Sequence, residues 1–241
     1  GMAGDQVISY LSEHSDTLKG ILYAITIILA LLPFRTMIRN EISNVMNGEK
    51  LTDFAVIQKY LWIAVLGLGA AFSLNFGMGL FSVVSNSTGY QQVADAQYGV
   101  SFFIGLFLYG VVSPVTEEII YRGITYQRLK RTFGVIPAML ISALIFGGLH
   151  GNWVQAVYGT LMGILLAWVY EKYAGFLAPV LVHMAANLGV YSITYGSRLA
   201  GLSRNTCIMA TIVSVLITGV CFWYLNCRMS QSAGMMHNEG K

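Results

Sequence analysis

Charge is what this sequence has least of. Asp, Glu, Lys and Arg make up 10% of its residues, against about 25% in an ordinary soluble domain, while apolar residues reach 56%. The net charge of +3 is scattered along the chain, so no basic stripe is available for a nucleic-acid backbone, and nucleic acid is excluded as a partner. Cysteine is also scarce. Cys207, Cys221 and Cys227 all fall in or beside the last apolar segment without metal-type spacing, which excludes a disulfide framework and leaves small buried apolar side chains as their reading. There is no His-Glu-x-x-His helix. No Ser or Cys stands out as a nucleophile; Ser113 and Ser142 lie near the polar stretch described below, but small polar residues are ordinary in membrane helices.

What is present is hydrophobic sequence in long runs. A mean hydropathy of +0.63 predicts an integral membrane protein in contact with the lipid bilayer, an all-α polytopic bundle of about seven transmembrane helices. Gly1-Met2 reads as a tag-cleavage remnant ahead of a native methionine, leaving a single membrane domain over 2–241 with its motif-bearing core at about 98–195. The expected spans are about Leu18–Phe34, Tyr60–Val84, a third from Tyr98 into the polar stretch, Val135–Leu149, Trp153–Tyr170, Phe176–Tyr195 and Cys207–Leu225. The first lacks a basic lead and a small-residue cleavage site, and so reads as a retained helix rather than a signal peptide. Polar loops are expected between the first two spans and at Asn86–Gln97, a kink or helix start at Ser113-Pro114, and disorder from Arg228 to Lys241. Of the 14 Lys and Arg, ten fall in the loops after spans one, three and five and in the tail; three fall on the opposite side. The positive-inside rule then puts the amino terminus outside and the carboxyl terminus in the cytoplasm, as expected for a bacterial cytoplasmic membrane.

Inside this apolar frame, the stretch Ser113–Arg131 carries Glu117, Glu118 and Arg122. A charge within a membrane span costs roughly 2.5–3.5 kcal/mol on insertion scales and so marks a candidate functional site. On a helix Glu118 and Arg122 share a face one turn apart, and Glu117 points about 100° away, so one glutamate can be held by the arginine while the other stays free. Two of the four histidines also lie in apolar segments: His150, one turn after Phe146, and His183, one turn before Asn187. At 1.5 Å per residue, Glu118 and His150 are each roughly 20–24 Å from the basic turn at Gly134, and His183 and Asn187 roughly 12–18 Å from the turn at Gly175. These polar groups therefore overlap in depth. A carboxylate, two imidazoles, an amide and an arginine in a protein-lined cavity suit hydrolysis of an amide by activated water. The carboxylate takes and returns a proton, and the His/Asn pair offers hydrogen bonds to the oxyanion. Phe146 reads as packing, and Gly159 with Gly163 as a close helix crossing.

Glu117-Glu118-x-x-x-Arg122, Phe146-x-x-x-His150 and His183-x-x-x-Asn187 resemble, in order and spacing, the three motifs of the CAAX prenyl protease and bacteriocin-processing (Abi) family of intramembrane proteases, over about Val112–Tyr191. The resemblance implies a helical membrane endopeptidase without a cofactor, in which Glu117 activates water together with His150. In the same picture His183 and Asn187 stabilise the oxyanion, and Glu118, Arg122 and Phe146 support the site. Eukaryotic members cut after a prenylated cysteine; similar small bacterial proteins are linked with peptide maturation, bacteriocin self-immunity or signal-peptide processing. A membrane-tethered peptide or protein is the expected substrate, approaching laterally or from the cytoplasmic side. Two other readings fit the same residues: a zinc site built on a carboxylate and two histidines, and a non-catalytic immunity factor, scaffold or transporter that uses the polar cavity for binding or passage.

Overall fold

In a computed structural model the chain is helical, and residues 15–48, 53–81, 84, 86–173, 175–195 and 202–227 are described. The helices are α1 (Ser15–Leu31), α2 (Arg35–Gly48), α3 (Phe54–Leu80), α4 (Thr88–Tyr98), α5 (Phe102–Phe133), α6 (Val135–Gly148), α7 (Trp153–Tyr173), α8 (Leu177–Tyr195) and α9 (Arg204–Cys227). Among the described residues six stretches are long and apolar enough to cross a membrane. The expected fourth span is the shorter α6, whose 14 residues extend only about 21 Å.

Two expected loops are helices instead. The first runs from Arg35 to Gly48 because Pro33 sits at the start of a short 3₁₀ turn, Leu32–Phe34, where its missing N–H breaks no bond. An apolar stripe of Ile28, Leu31, Ile38 and Ile42 carries the helical period across that turn. The second is α4: Ser87 accepts a hydrogen bond from the Tyr90 N–H (3.3 Å) and caps it. Its Tyr90, Val93 and Gln97 then face inward while Gln91, Gln92 and Asp95 face out. The polar lead, Gly1, Lys50, Arg198 and the tail from Arg228 lie outside the described residues.

The core forms where α3 lies against α8 and α9, and α6 against α7. Ile63 and Leu66 of α3 meet Phe146, Leu166, Val182 and Leu225, all almost fully buried. Such proximity needs small residues at the crossings. A methyl group added at Gly67 would collide with the Val182 carbonyl, and one at Gly147 with Thr160 and the Ala156 carbonyl. Gly163 meets Ala143 on the same α6–α7 crossing, so the Gly159/Gly163 pair works inside the fold.

Candidate active site

The helix that bears the glutamates is not uniform. In α5, wide π turns at Leu108–Val112 and Ile119–Tyr126 flank a single α-helical segment, Ser113–Glu118. π turns cluster at functional sites because they re-aim side chains without ending a helix. Here the first one leads into Pro114, and an α-helical segment starts at Ser113 with the proline in its first turn, the helix start expected there, inside one continuous stretch. The Ser113 N–H bonds to the Leu108 carbonyl, five residues back. The next pairing in that register would run from residue 114 to the Tyr109 carbonyl, but proline has no N–H to give. The Asn187 side chain supplies the missing donor, its Nδ2 bonding the Tyr109 carbonyl at 2.9 Å. Proline and asparagine, from different helices, thus fill one backbone position between them.

Glu117 and Glu118 have different environments. Glu118 is wholly buried, and its Oε1 accepts from Arg122 Nη1 (2.9 Å) and from His183 Nδ1 (2.8 Å). Arg122, equally buried, also donates from Nη2 to the Gly163 carbonyl (3.0 Å), and its guanidinium lies 4.8 Å from the centre of the Phe146 ring. It therefore ties α5 to α7 and α6. Glu117 is partly exposed, with Ser113, one turn earlier, donating to its Oε1. Its Oε2 stands 3.7 Å from His183 Nε2, beyond hydrogen-bond range. With Nδ1–H committed to Glu118, His183 offers Nε2 to the cavity, as a donor when the ring is doubly protonated and as an acceptor otherwise.

His150 is oriented in a similar way. Its Nδ1 lies 2.7 Å from the Phe146 carbonyl, which can only accept, so Nδ1 carries the proton and Nε2 is left for the cavity. Phe146 packs edge-on against both imidazoles, at 4.9 Å from His150 and 5.7 Å from His183. No hydrogen bond joins Glu117 to His150. Both face a cavity of about 310 Å³, large enough for a water and a peptide group between them. His183, Asn187, Tyr23 of α1, Asn75 of α3, Tyr158 of α7 and the inner face of α4 complete the wall. Burial pushes the Tyr98 phenol on α4 up to about 12, so it remains a neutral donor at physiological pH.

All seven residues singled out from the sequence are thus in or directly against one site. Among the described residues no three His, Cys, Asp or Glu side chains converge as metal ligands. The cavity lies toward the helix ends remote from the basic turn. Sequence reasoning weighed Ser113 only as a nucleophile and missed it as the partner of Glu117, although its place one turn before that glutamate was visible. Tyr109 contributes through its carbonyl, which no side-chain pattern reveals.

Fold and cavity together define the class: a multi-pass helical membrane protein with a half-buried carboxylate–imidazole site. The segment 99–189 matches the family model described as Type II CAAX prenyl endopeptidase Rce1-like, which bears out the resemblance over the stretch that carries the motifs. The chain is 27% identical over 194 residues to the "Putative membrane peptidase YdiL" of Bacillus subtilis, covering 78% of this chain and 75% of that one. It is 24% identical over 111 residues to the "UPF0177 protein YxdF" of Lactococcus lactis, covering 45% of this chain and 59% of the relative. No solved structure matches.

Proposed function

We propose that the protein is an intramembrane endopeptidase that hydrolyses a membrane-tethered peptide or protein with water activated by Glu117, in a bacterial cytoplasmic membrane, its amino terminus outside and its carboxyl terminus in the cytoplasm. The observation that carries this reading is the division of labour between the glutamates. Glu118 is wholly buried with one oxygen held by both Arg122 and His183, while Glu117 has one oxygen steadied by Ser113 and the other on the side of the cavity. Glu117 takes a proton from a water shared with His150 Nε2, and the water oxygen bonds to the peptide carbonyl carbon. His183, its ring doubly protonated beside Glu118, donates from Nε2–H to the resulting oxyanion together with the second amide hydrogen of Asn187. As the tetrahedral centre collapses the C–N bond breaks, and Glu117 returns its proton to the leaving amine. No cofactor is invoked; Glu118, Arg122 and Phe146 hold the imidazoles and α5 in place.

The test compares peptides released from membranes carrying equal amounts of wild-type and Glu117→Gln protein, by mass spectrometry. Loss of a general base costs about 10²–10⁴ in rate, so the wild-type fragments are expected to vanish. Identical peptide profiles would instead support a binding or transport protein. Stoichiometric zinc in the purified protein, lost together with activity on chelation, would replace the metal-free step with zinc chemistry.

A further inference from the structure

The cavity is built mainly from the far halves of its helices, with His183 contributed from the nearer half of α8. Asn75 lies toward the end of α3, which starts beside Lys59; Tyr158 lies near the start of α7, which finishes at Lys172 and Tyr173. His150 follows the end of α6, which starts just after the basic turn, and Tyr191 is in the last turns of α8. Most of the described basic groups gather at the other end, Lys19 and Arg204 excepted. There Lys130 pairs with Glu171 at 2.6 Å, and Arg131 borders a separate crevice between α2, α5 and Phe176. Across the cavity end lies α4, the one helix of this region too short and too polar to span, resting on α5 and α7.

We infer that the reaction chamber is served from the extracytoplasmic face beneath α4, so that the peptides cut are membrane-anchored segments presented on the outer side of the bilayer. The inference rests on the protease reading for its chemistry and on the positive-inside rule for its direction. The lining adds a restriction on the substrate. Apart from Glu117 and the two histidines, the described wall is uncharged: tyrosines, Asn75, Gln97, Ser113, Gln155, Asn187 and apolar side chains. A segment without charged residues around its scissile bond fits it, held by hydrogen bonds to its backbone, since a charge would lose its hydration without gaining a partner.

The test uses single-cysteine proteins, with the native Cys207, Cys221 and Cys227 replaced by serine, treated in intact cells with a membrane-impermeant maleimide. Gln92→Cys on the outer face of α4 and Gln97→Cys on its cavity face are expected to react in intact cells, and Thr132→Cys at the basic end only after permeabilisation. The reverse pattern overturns the inference whatever the protein's activity. The termini of Glu117-dependent fragments supply the second arm and are expected in extracytoplasmic segments. Cuts confined to cytoplasmic segments overturn the inference and leave the protease reading standing. Absence of any Glu117-dependent fragment overturns the protease reading and with it the substrate assignment, while the labelling still decides which face the chamber opens to.

Discussion

Asn187 and Pro114 occupy positions whose meaning depends on each other. Removing the Asn187 amide takes away the donor to the half-buried Tyr109 carbonyl, which costs about 1 kcal/mol, the net worth of an ordinary hydrogen bond. Restoring an N–H at position 114 supplies that donor from within α5. A double-mutant cycle of Pro114→Ala and Asn187→Ala, read by thermal unfolding in detergent, is therefore expected to give a coupling of about 1 kcal/mol, with Asn187→Ala milder in the alanine background. Strict additivity would show that the two do not share the carbonyl. The glutamates give a second prediction at this scale. Glu118→Ala strands the buried Arg122 charge and is expected to cost about 3–5 kcal/mol of stability, whereas Glu117→Gln should leave the unfolding temperature nearly unchanged while abolishing cleavage. Equal destabilisation by both would remove the distinction between a structural and a chemical glutamate.

At the scale of helices, the two adjacent glycines before His150 behave differently. Gly147 faces α7 so closely that an added methyl group would overlap Thr160 and the Ala156 carbonyl, whereas Gly148 has open space around it. Gly147→Ala is expected to cost about 1–3 kcal/mol through forced separation of α6 and α7, and Gly148→Ala to be tolerated; denaturation midpoints of the two variants check this. Because the α6–α7 crossing also carries Phe146 and the Gly163 carbonyl, Gly147→Ala should lower activity even where the fold survives. Sequence spacing indicated that two glycines stood there, but only the crossing assigned the packing role to one of them. The same holds for α4. The stretch Asn86–Gln97 reads as a loop because it is rich in Ser, Asn, Gln and Gly, and Thr88–Tyr98 is a helix because Ser87 caps it and the cavity takes its inner face.

For the molecule as a whole, the outer helices α1 and α9 bury little of their surface and the central α7 much more, so the bundle presents an apolar shell around an apolar core that encloses one polar site. Much of this was determined by the sequence alone. Low charge and long apolar runs require helices in a bilayer, because only internal hydrogen bonding satisfies the backbone there. Helical periodicity fixed that Glu118 and Arg122 would share a face, and the order of three motifs placed all seven candidate residues. These are local properties, set by neighbours within a turn or by composition over a span. The tertiary structure decided the rest: that His183 bonds the buried glutamate, that Asn187 completes the backbone of α5, that α4 lines the cavity, and that the cavity lies toward the helix ends remote from the basic turn. Each depends on which helices cross and at what height, and crossings are set by contacts between residues far apart in sequence, to which hydropathy and spacing are blind.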